Sequence, residues 1–111
     1  AFHNIMNLPL APETDGQAMR ALYRQTVLPH LRAFQPDLLI ISAGFDAHSS
    51  DPLAQLNWRV EDFVWLTQEL CALAAKLCQG RVVSVLEGGY DLPALAASAK
   101  AHVEKLLEAT K

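Results

Sequence analysis

The chain has 111 residues and a formal net charge of −3, and 51% of its residues are hydrophobic. This length predicts one unit over residues 1–111 and excludes a multidomain protein. The charges are scattered, so no basic patch indicates nucleic acid or an anionic membrane as a partner. No apolar run approaches the ~20 residues that cross a bilayer. We expect a folded protein that neither binds nucleic acid nor spans a membrane.

The two cysteines, Cys71 and Cys78, are seven positions apart. On a helix this spacing separates them by ~10 Å along the axis, more than the ~7 Å that a disulfide can bridge. We therefore expect buried thiols. Because no charged and apolar leader opens the chain, we also expect a cytoplasmic protein.

The N-terminal third predicts a strand followed by a helix. Residues 2–8 alternate loosely between polar and apolar and stop at Pro9, which indicates a short strand. From Gly16 to Phe34, apolar residues recur at three- and four-residue steps, as on one side of a helix. Pro29 lies inside this helix and cannot donate a backbone hydrogen bond, so we expect a kink or break over residues 26–28.

The rest of the chain predicts two more strands, each followed by a helix. Residues 38–41 form an unbroken apolar run, which is typical of a central parallel strand buried on both faces. A long loop over residues 42–57 follows. The remaining elements are a helix over 60–80, a strand over 81–86 and a helix over 92–108 that follows Asp91 as its N-cap.

Alternating strands and helices predict an α/β fold, a parallel sheet with flanking helices in the order β-α-β-α-β-α. A sheet of three strands leaves unpaired edges and apolar faces. We therefore expect the sheet to be covered by self-association or by another protein segment.

Ligands of open parallel sheets bind outside the carboxyl ends of the strands, so the loops that begin at Ser42 and Glu87 are the candidate site. If the two strands are neighbours, Asp46 and Tyr90 project into one crevice. The carboxylate can ligate a metal, and the protonated phenol can donate a hydrogen bond to a developing oxyanion. This pair suits metal-assisted attack on an amide. From the residues alone another interpretation stays open, in which Asp46 caps a loop, Gly88-Gly89 forms a tight turn and Tyr90 packs at the surface.

Other motifs in the chain are weaker indications of a function. Asp46 and His48 have the spacing of a bidentate metal site, whereas Asp51 before Pro52 is typical of a turn. Gly88-Gly89 lacks the third glycine of a dinucleotide-binding loop, and no phosphate-binding loop occurs, so a nucleotide cofactor is not predicted.

Three segments together resemble the C-terminal part of the histone deacetylase family. They are ISAGFDAH at residues 41–48, DPLA at 51–54 and LEGGYD at 86–91. The resemblance is greatest to the bacterial deacetylase-like amidohydrolases, the group of acetylpolyamine amidohydrolases and acetoin-utilisation proteins. Residues 4–10 resemble the strand that precedes this region in them. The resemblance implies the arginase/deacetylase fold and a zinc-dependent amidohydrolase that acts on acetyl-lysine or acetylpolyamine substrates.

Site roles follow from the resemblance residue by residue. Asp46 is similar to the third zinc ligand, and Tyr90 to the tyrosine that stabilises the oxyanion. Gly88 and Gly89 would line the acyl channel. The family's tandem histidine pair is absent from this chain. Its Asp-x-His pair of zinc ligands is also unmatched, because Asp46-Ala47-His48, which has that spacing, occupies the third-ligand position. Arg59 stands where a serine or threonine N-cap is expected.

The resemblance therefore implies zinc in the complete domain, and little zinc binding and no activity by this chain alone. Two other functions remain open. One is a non-catalytic α/β assembly module that pairs with itself or with a complementary chain, and the other is a small-ligand-binding protein that uses the Gly88-Gly89 crevice. The expected partners are a second copy or the missing N-terminal part of the domain.

Overall fold

The chain alternates helices with two parallel strands over residues 4–110, the part that this computed structural model describes. The elements in chain order are α1 (Gly16–Leu22), a π-helical turn (Tyr23–Val27), α2 (Leu28–Phe34), β1 (Leu39–Ala43), α3 (Val60–Leu77), β2 (Val82–Leu86) and α4 (Leu92–Ala109). This order confirms the predicted α/β class from residue 16 onward.

The strand predicted over residues 2–8 does not form within residues 4–8, which are irregular. Residues 2 and 3 lie outside the described part of the chain. A strand needs a neighbour to pair with, and the described sheet has only β1 and β2. Instead, Met6, Leu8 and Leu10 line a small cavity beside Met19 and Trp58.

The predicted break before Pro29 is a π-helical turn. Pro29 lies in the first turn of α2, and the N–H of Leu28 donates to the carbonyl of Tyr23, five residues back. The wider turn interrupts the regular pattern of hydrogen bonds to the residue four positions back. Pro29, which cannot donate such a bond, is therefore tolerated there. The expected interruption at residues 26–28 is therefore confirmed.

The N-cap residue of α3 is Arg59, whose side chain makes no capping hydrogen bond. The N–H of Arg59 donates to Oδ2 of Asp62 at 2.8 Å, and Oδ1 of Asp62 pairs with Arg20 at 2.9 Å. A Cβ at Gly16 would overlap this carboxylate, so α1 approaches it closely. Asp62 thus supplies the N3 half of a capping box. Its own N–H bonds to the Arg59 carbonyl at 3.0 Å in place of a serine or threonine side chain, and its carboxylate also ties α3 to α1.

The two strands pair in parallel from Leu39 opposite Val82 to Ala43 opposite Leu86. One face packs on the helices, since Leu39 and Ile41 contact the core cluster around Leu70 of α3. The opposite face is open.

The open face consists of Ile40, Val83 and Val85, which are 61%, 47% and 50% exposed. The prediction of a strand buried on both faces is therefore wrong for β1, because helices of the described residues cover only one side. We call Ile40, Val83 and Val85 the open sheet face.

Both cysteines are free thiols, as expected. Cys78 is buried at the end of α3, whereas Cys71 is only partly buried, and burial raises the pKa of its thiol. Among residues 4–110 no helix is long and apolar enough to cross a membrane.

A buried histidine joins α3, β2 and α4. His102 Nδ1 lies 2.8 Å from Oγ1 of Thr67, and Nε2 lies 2.8 Å from Oγ of Ser84. Thr67 already donates to the carbonyl of Phe63, so it accepts from Nδ1–H, and Nε2 accepts from Ser84. Because burial also lowers the pKa of His102, the ring is neutral at pH 7, with its proton on Nδ1.

This histidine should make folding stability depend on pH. Burial lowers the pKa of His102 below its ordinary 6.5, so the unfolded chain takes up a proton before the folded chain does. The free energy of unfolding should therefore fall as the pH drops below about 6.5, by at most about 1.4 kcal/mol per pH unit from this group. Urea unfolding at several pH values measures the slope. His102→Gln should reduce it and His30→Gln, at an exposed site, should not; equal slopes would contradict the prediction.

Candidate functional site at the carboxyl ends of the strands

Two loops leave the sheet side by side. The Asp46 loop (residues 44–59) follows β1, and the Tyr90 loop (residues 87–91) follows β2. Backbone hydrogen bonds continue beyond the strand ends, from Glu87 N–H to the Ala43 carbonyl at 2.9 Å and from Phe45 N–H to the Gly88 carbonyl at 2.8 Å. The parallel pairing predicted from the sequence therefore brings both loops to one rim.

The Asp46 loop alternates buried and less buried side chains. Phe45 and Ala47 are buried, whereas Asp46 and His48 are only partly buried. The Phe45 ring lies 5.2 Å from that of Phe63 in an edge-on contact. Because its neighbours on both sides are anchored in the core, Asp46 is held at the rim.

The Asp46 carboxylate lies between two glycines. A Cβ at Gly44 would be 3.0 Å from Asp46 Oδ1, and a Cβ at Gly88 would be 3.1 Å from its Oδ2. These contacts are tighter than side chains normally make, so the space around the carboxylate depends on both glycines. Among residues 4–110 no hydrogen bond occupies the carboxylate, which leaves its oxygens available to a ligand.

Tyr90 follows two residues after Gly88, which lies against this carboxylate, and Tyr90 is more than half exposed. Before it, Gly89 has a φ of 143°, a conformation that favours glycine. A Cβ there would also lie 2.8 Å from Cδ1 of Leu95. Gly88 and Gly89 thus let the Tyr90 loop pass close to Asp46 on one side and to α4 on the other.

His48 does not form a ligand pair with Asp46 through its Nδ1 atom. That nitrogen accepts a hydrogen bond from the N–H of Ser50 at 3.0 Å. Within residues 4–110 no group of three or more histidine, cysteine or acidic side chains could hold a metal ion.

A catalytic zinc ion takes three protein ligands and keeps one position for water. The described residues offer the free carboxylate of Asp46, which fits one of these three positions. The described residues can therefore contribute one zinc ligand, Asp46, and one hydrogen-bond donor, Tyr90, but not a complete zinc centre.

Asp51 joins the two loops of the site, although its place before Pro52 predicted only a turn. Its Oδ1 accepts from the N–H of Leu53 at 2.9 Å, which is the expected turn, but its Oδ2 accepts from the N–H of Tyr90 at 2.8 Å. The second bond joins residues 39 positions apart. No local pattern signals such a pair, because only the parallel pairing of β1 and β2 brings the two loops together.

Comparison with known proteins identifies the family and the fold. The model of the histone deacetylase domain matches residues 1–106. The chain is 43% identical over 104 residues to an uncharacterized protein of Synechocystis sp., covering 94% of this chain and 33% of that protein. It is 42% identical over 93 residues to the chloroplastic histone deacetylase 10 of Oryza sativa, covering 84% of this chain and 21% of that protein.

Among solved structures, the HD domain of HDA15 superposes with a TM-score of 0.80 at 37% identity, covering 88% of this chain and 27% of that one. The chain thus spans a third or less of the length of these relatives. The parallel strands and flanking helices share the arginase/deacetylase fold of that domain. The chain belongs to the histone deacetylase family.

Proposed function

We propose that this chain forms part of a zinc-dependent deacetylase that hydrolyses acetyl-amide bonds of the acetyl-lysine or acetylpolyamine type. The observation that carries the proposal is the free Asp46 carboxylate on the same rim as the exposed Tyr90, in a chain of the histone deacetylase family. A cytoplasmic location is predicted from the sequence alone.

In this proposal Asp46 holds the zinc ion together with ligands from outside residues 4–110. When bound, the zinc polarises the substrate carbonyl and lowers the pKa of a water molecule. Tyr90 donates a hydrogen bond to the carbonyl oxygen as negative charge develops on it. Gly88 and Gly89, which add no side chain to the rim, leave room for the acyl group.

The chain alone should bind zinc weakly, because one carboxylate cannot compete well with water for the ion. Calorimetric titration with zinc should show no stoichiometric submicromolar site, and an acetyl-lysine peptide should not be hydrolysed. A tight site with measurable turnover would show that this chain is a complete enzyme and would contradict the proposed division of the site.

A chimera tests the function itself. This chain would replace the matched region of the HDA15 HD domain, to which it is 37% identical. We expect the chimera to bind zinc and to release acetate from an acetyl-lysine peptide or an acetylated polyamine. Asp46→Asn should lower the zinc content, whereas Asp37→Asn, an exposed carboxylate away from the rim, should not. A chimera that folds and binds zinc but hydrolyses neither substrate would overturn the proposal.

A second candidate function is a non-catalytic assembly module, which the open sheet face favours. Three apolar side chains, Ile40, Val83 and Val85, are exposed side by side, and soluble monomers rarely keep large apolar patches uncovered. Either another copy of the chain or the rest of the deacetylase domain could cover this face.

The chain alone should therefore self-associate. Sedimentation velocity at micromolar concentration should show dimers or larger species, because burying the open sheet face removes apolar surface from water. Val83→Lys should shift the distribution toward monomer. Leu107→Lys, at an exposed leucine of α4, is the matched control and should leave it unchanged. A stable monomer without dye-detectable apolar surface would contradict this prediction.

A further inference from the structure

Asp51 is a buried carboxylate whose partners are backbone N–H groups. Asp51 is only 8% exposed. Oδ1 accepts from Leu53, and Oδ2 accepts from Tyr90. Burial would raise the pKa of Asp51, but hydrogen bonds from the backbone of Leu53, Tyr90, Ala54 and Asp91 lower it below its ordinary value. Asp51 is therefore an anion at neutral pH.

A turn needs only part of this arrangement. The bond to Leu53 closes a local turn, as aspartate often does before proline. The bond to Tyr90 crosses to the other loop and adds nothing to that turn. It costs the burial of a charge, which is tolerated only when hydrogen bonds replace the lost water.

The bond also holds the Tyr90 loop at Tyr90 itself, beyond the bonds that join Glu87 and Gly88 to the other loop. Among residues 4–110 no hydrogen bond reaches the Tyr90 hydroxyl, and the side chain is more than half exposed. The position of the phenol therefore depends on its own main chain. That main chain is held by Asp51 at Tyr90 and by the start of α4, where Asp91 caps the helix through Ala94 N–H.

We propose that Asp51 is a positioning residue for Tyr90. Its carboxylate clamps the Tyr90 main chain to the Asp46 loop and so sets the distance between the Tyr90 phenol and the Asp46 carboxylate. The clamp itself is independent of the proposed function. Only its consequence for catalysis rests on that function.

The clamp is tested by NMR on the isotopically labelled chain. In the unmodified chain, the amide shifts of Tyr90 and Leu53 should titrate together, with a midpoint below 3.8, the ordinary pKa of the Asp51 carboxyl. Separate midpoints, or one above 3.8, would overturn the proposal. This titration needs no substitution, so it tests the proposal even if a variant fails to fold.

Hydrogen exchange separates a clamp from a general effect on stability. In Asp51→Asn, exchange of the Tyr90 amide should accelerate at least about 10-fold more than exchange of the Phe45 amide, which is bonded to Gly88 on the same rim. Asp37→Asn should change neither. Equal acceleration of the Tyr90 and Phe45 amides would mean that Asp51 only stabilises the fold, and would overturn the proposal.

The consequence for catalysis is tested in the chimera with the HDA15 domain. Asp51→Asn should lower kcat about 100-fold with KM and zinc content unchanged, the size expected for a reacting group displaced by ~1 Å. Combined with Tyr90→Phe, it should cause no further loss. An additive loss in an active chimera would overturn positioning through Tyr90, whereas an inactive parent chimera with the clamp intact by NMR would count against the proposed function alone.

Discussion

Tyr90→Phe in the zinc-loaded chimera should lower kcat about 100- to 1000-fold, the loss seen when one donor to a developing oxyanion is removed. The substitution deletes only the hydroxyl, and no hydrogen bond among residues 4–110 depends on that hydroxyl. Stability and zinc content should therefore stay close to those of the unmodified chimera. Steady-state kinetics, thermal unfolding and metal analysis measure the three quantities.

Tyr23→Phe provides the matched control. Tyr23 lies in the π-helical turn and is packed against the core, where burial raises the pKa of its phenol. Loss of its hydroxyl should leave kcat unchanged. If Tyr90→Phe kept full turnover, or lost turnover only in proportion to lost zinc, the role of Tyr90 as hydrogen-bond donor would be wrong.

Phe45→Ala should lower the free energy of unfolding by about 3–5 kcal/mol, because it leaves a cavity in the core directly beneath the rim. Phe45 is 4% exposed, and its ring contacts those of Phe63 and His102 at centroid distances of 5.2 and 5.6 Å. Urea unfolding followed by tryptophan fluorescence measures the change, since Trp58 packs in the same cluster.

The control is a phenylalanine outside the core. Phe34, at the end of α2, is 59% exposed. Phe34→Ala should change the free energy of unfolding by well under 1 kcal/mol, as at most surface positions. Similar losses at the two positions would show that Phe45 does not anchor the Asp46 loop.

The helices and the site loops were predictable because their signals are local. Apolar periodicity predicted the helices, and Pro29 predicted the interruption that the π-helical turn forms. Asp91 was identified as an N-cap, and its side chain accepts from the N–H of Ala94. Alternation of strands with helices implies parallel pairing, which places the loops after both strands on one rim.

The first strand and the two-sided burial of the sheet were wrong because they depend on neighbours. A segment such as residues 4–8 becomes a strand only if another strand pairs with it, and the sheet of the described residues ends at β1 and β2. Likewise, an apolar run does not specify which of its faces a helix will cover. Ile40 is apolar but exposed, because α3 and α4 pack on the other side. On that side Ile41 contacts the Leu70 cluster and Ser84 bonds to His102.

The sequence by itself determined the α/β class and the family and predicted the pair Asp46 and Tyr90, since these rest on periodicity and on short motifs. Only the tertiary structure decided how the two loops are held together. The carboxylate of Asp51 reaches the N–H of Tyr90 across 39 positions, and Gly88 lies against the Asp46 carboxylate. Such contacts have no local pattern, because they arise from the register of β1 on β2, which the packing of the whole chain sets.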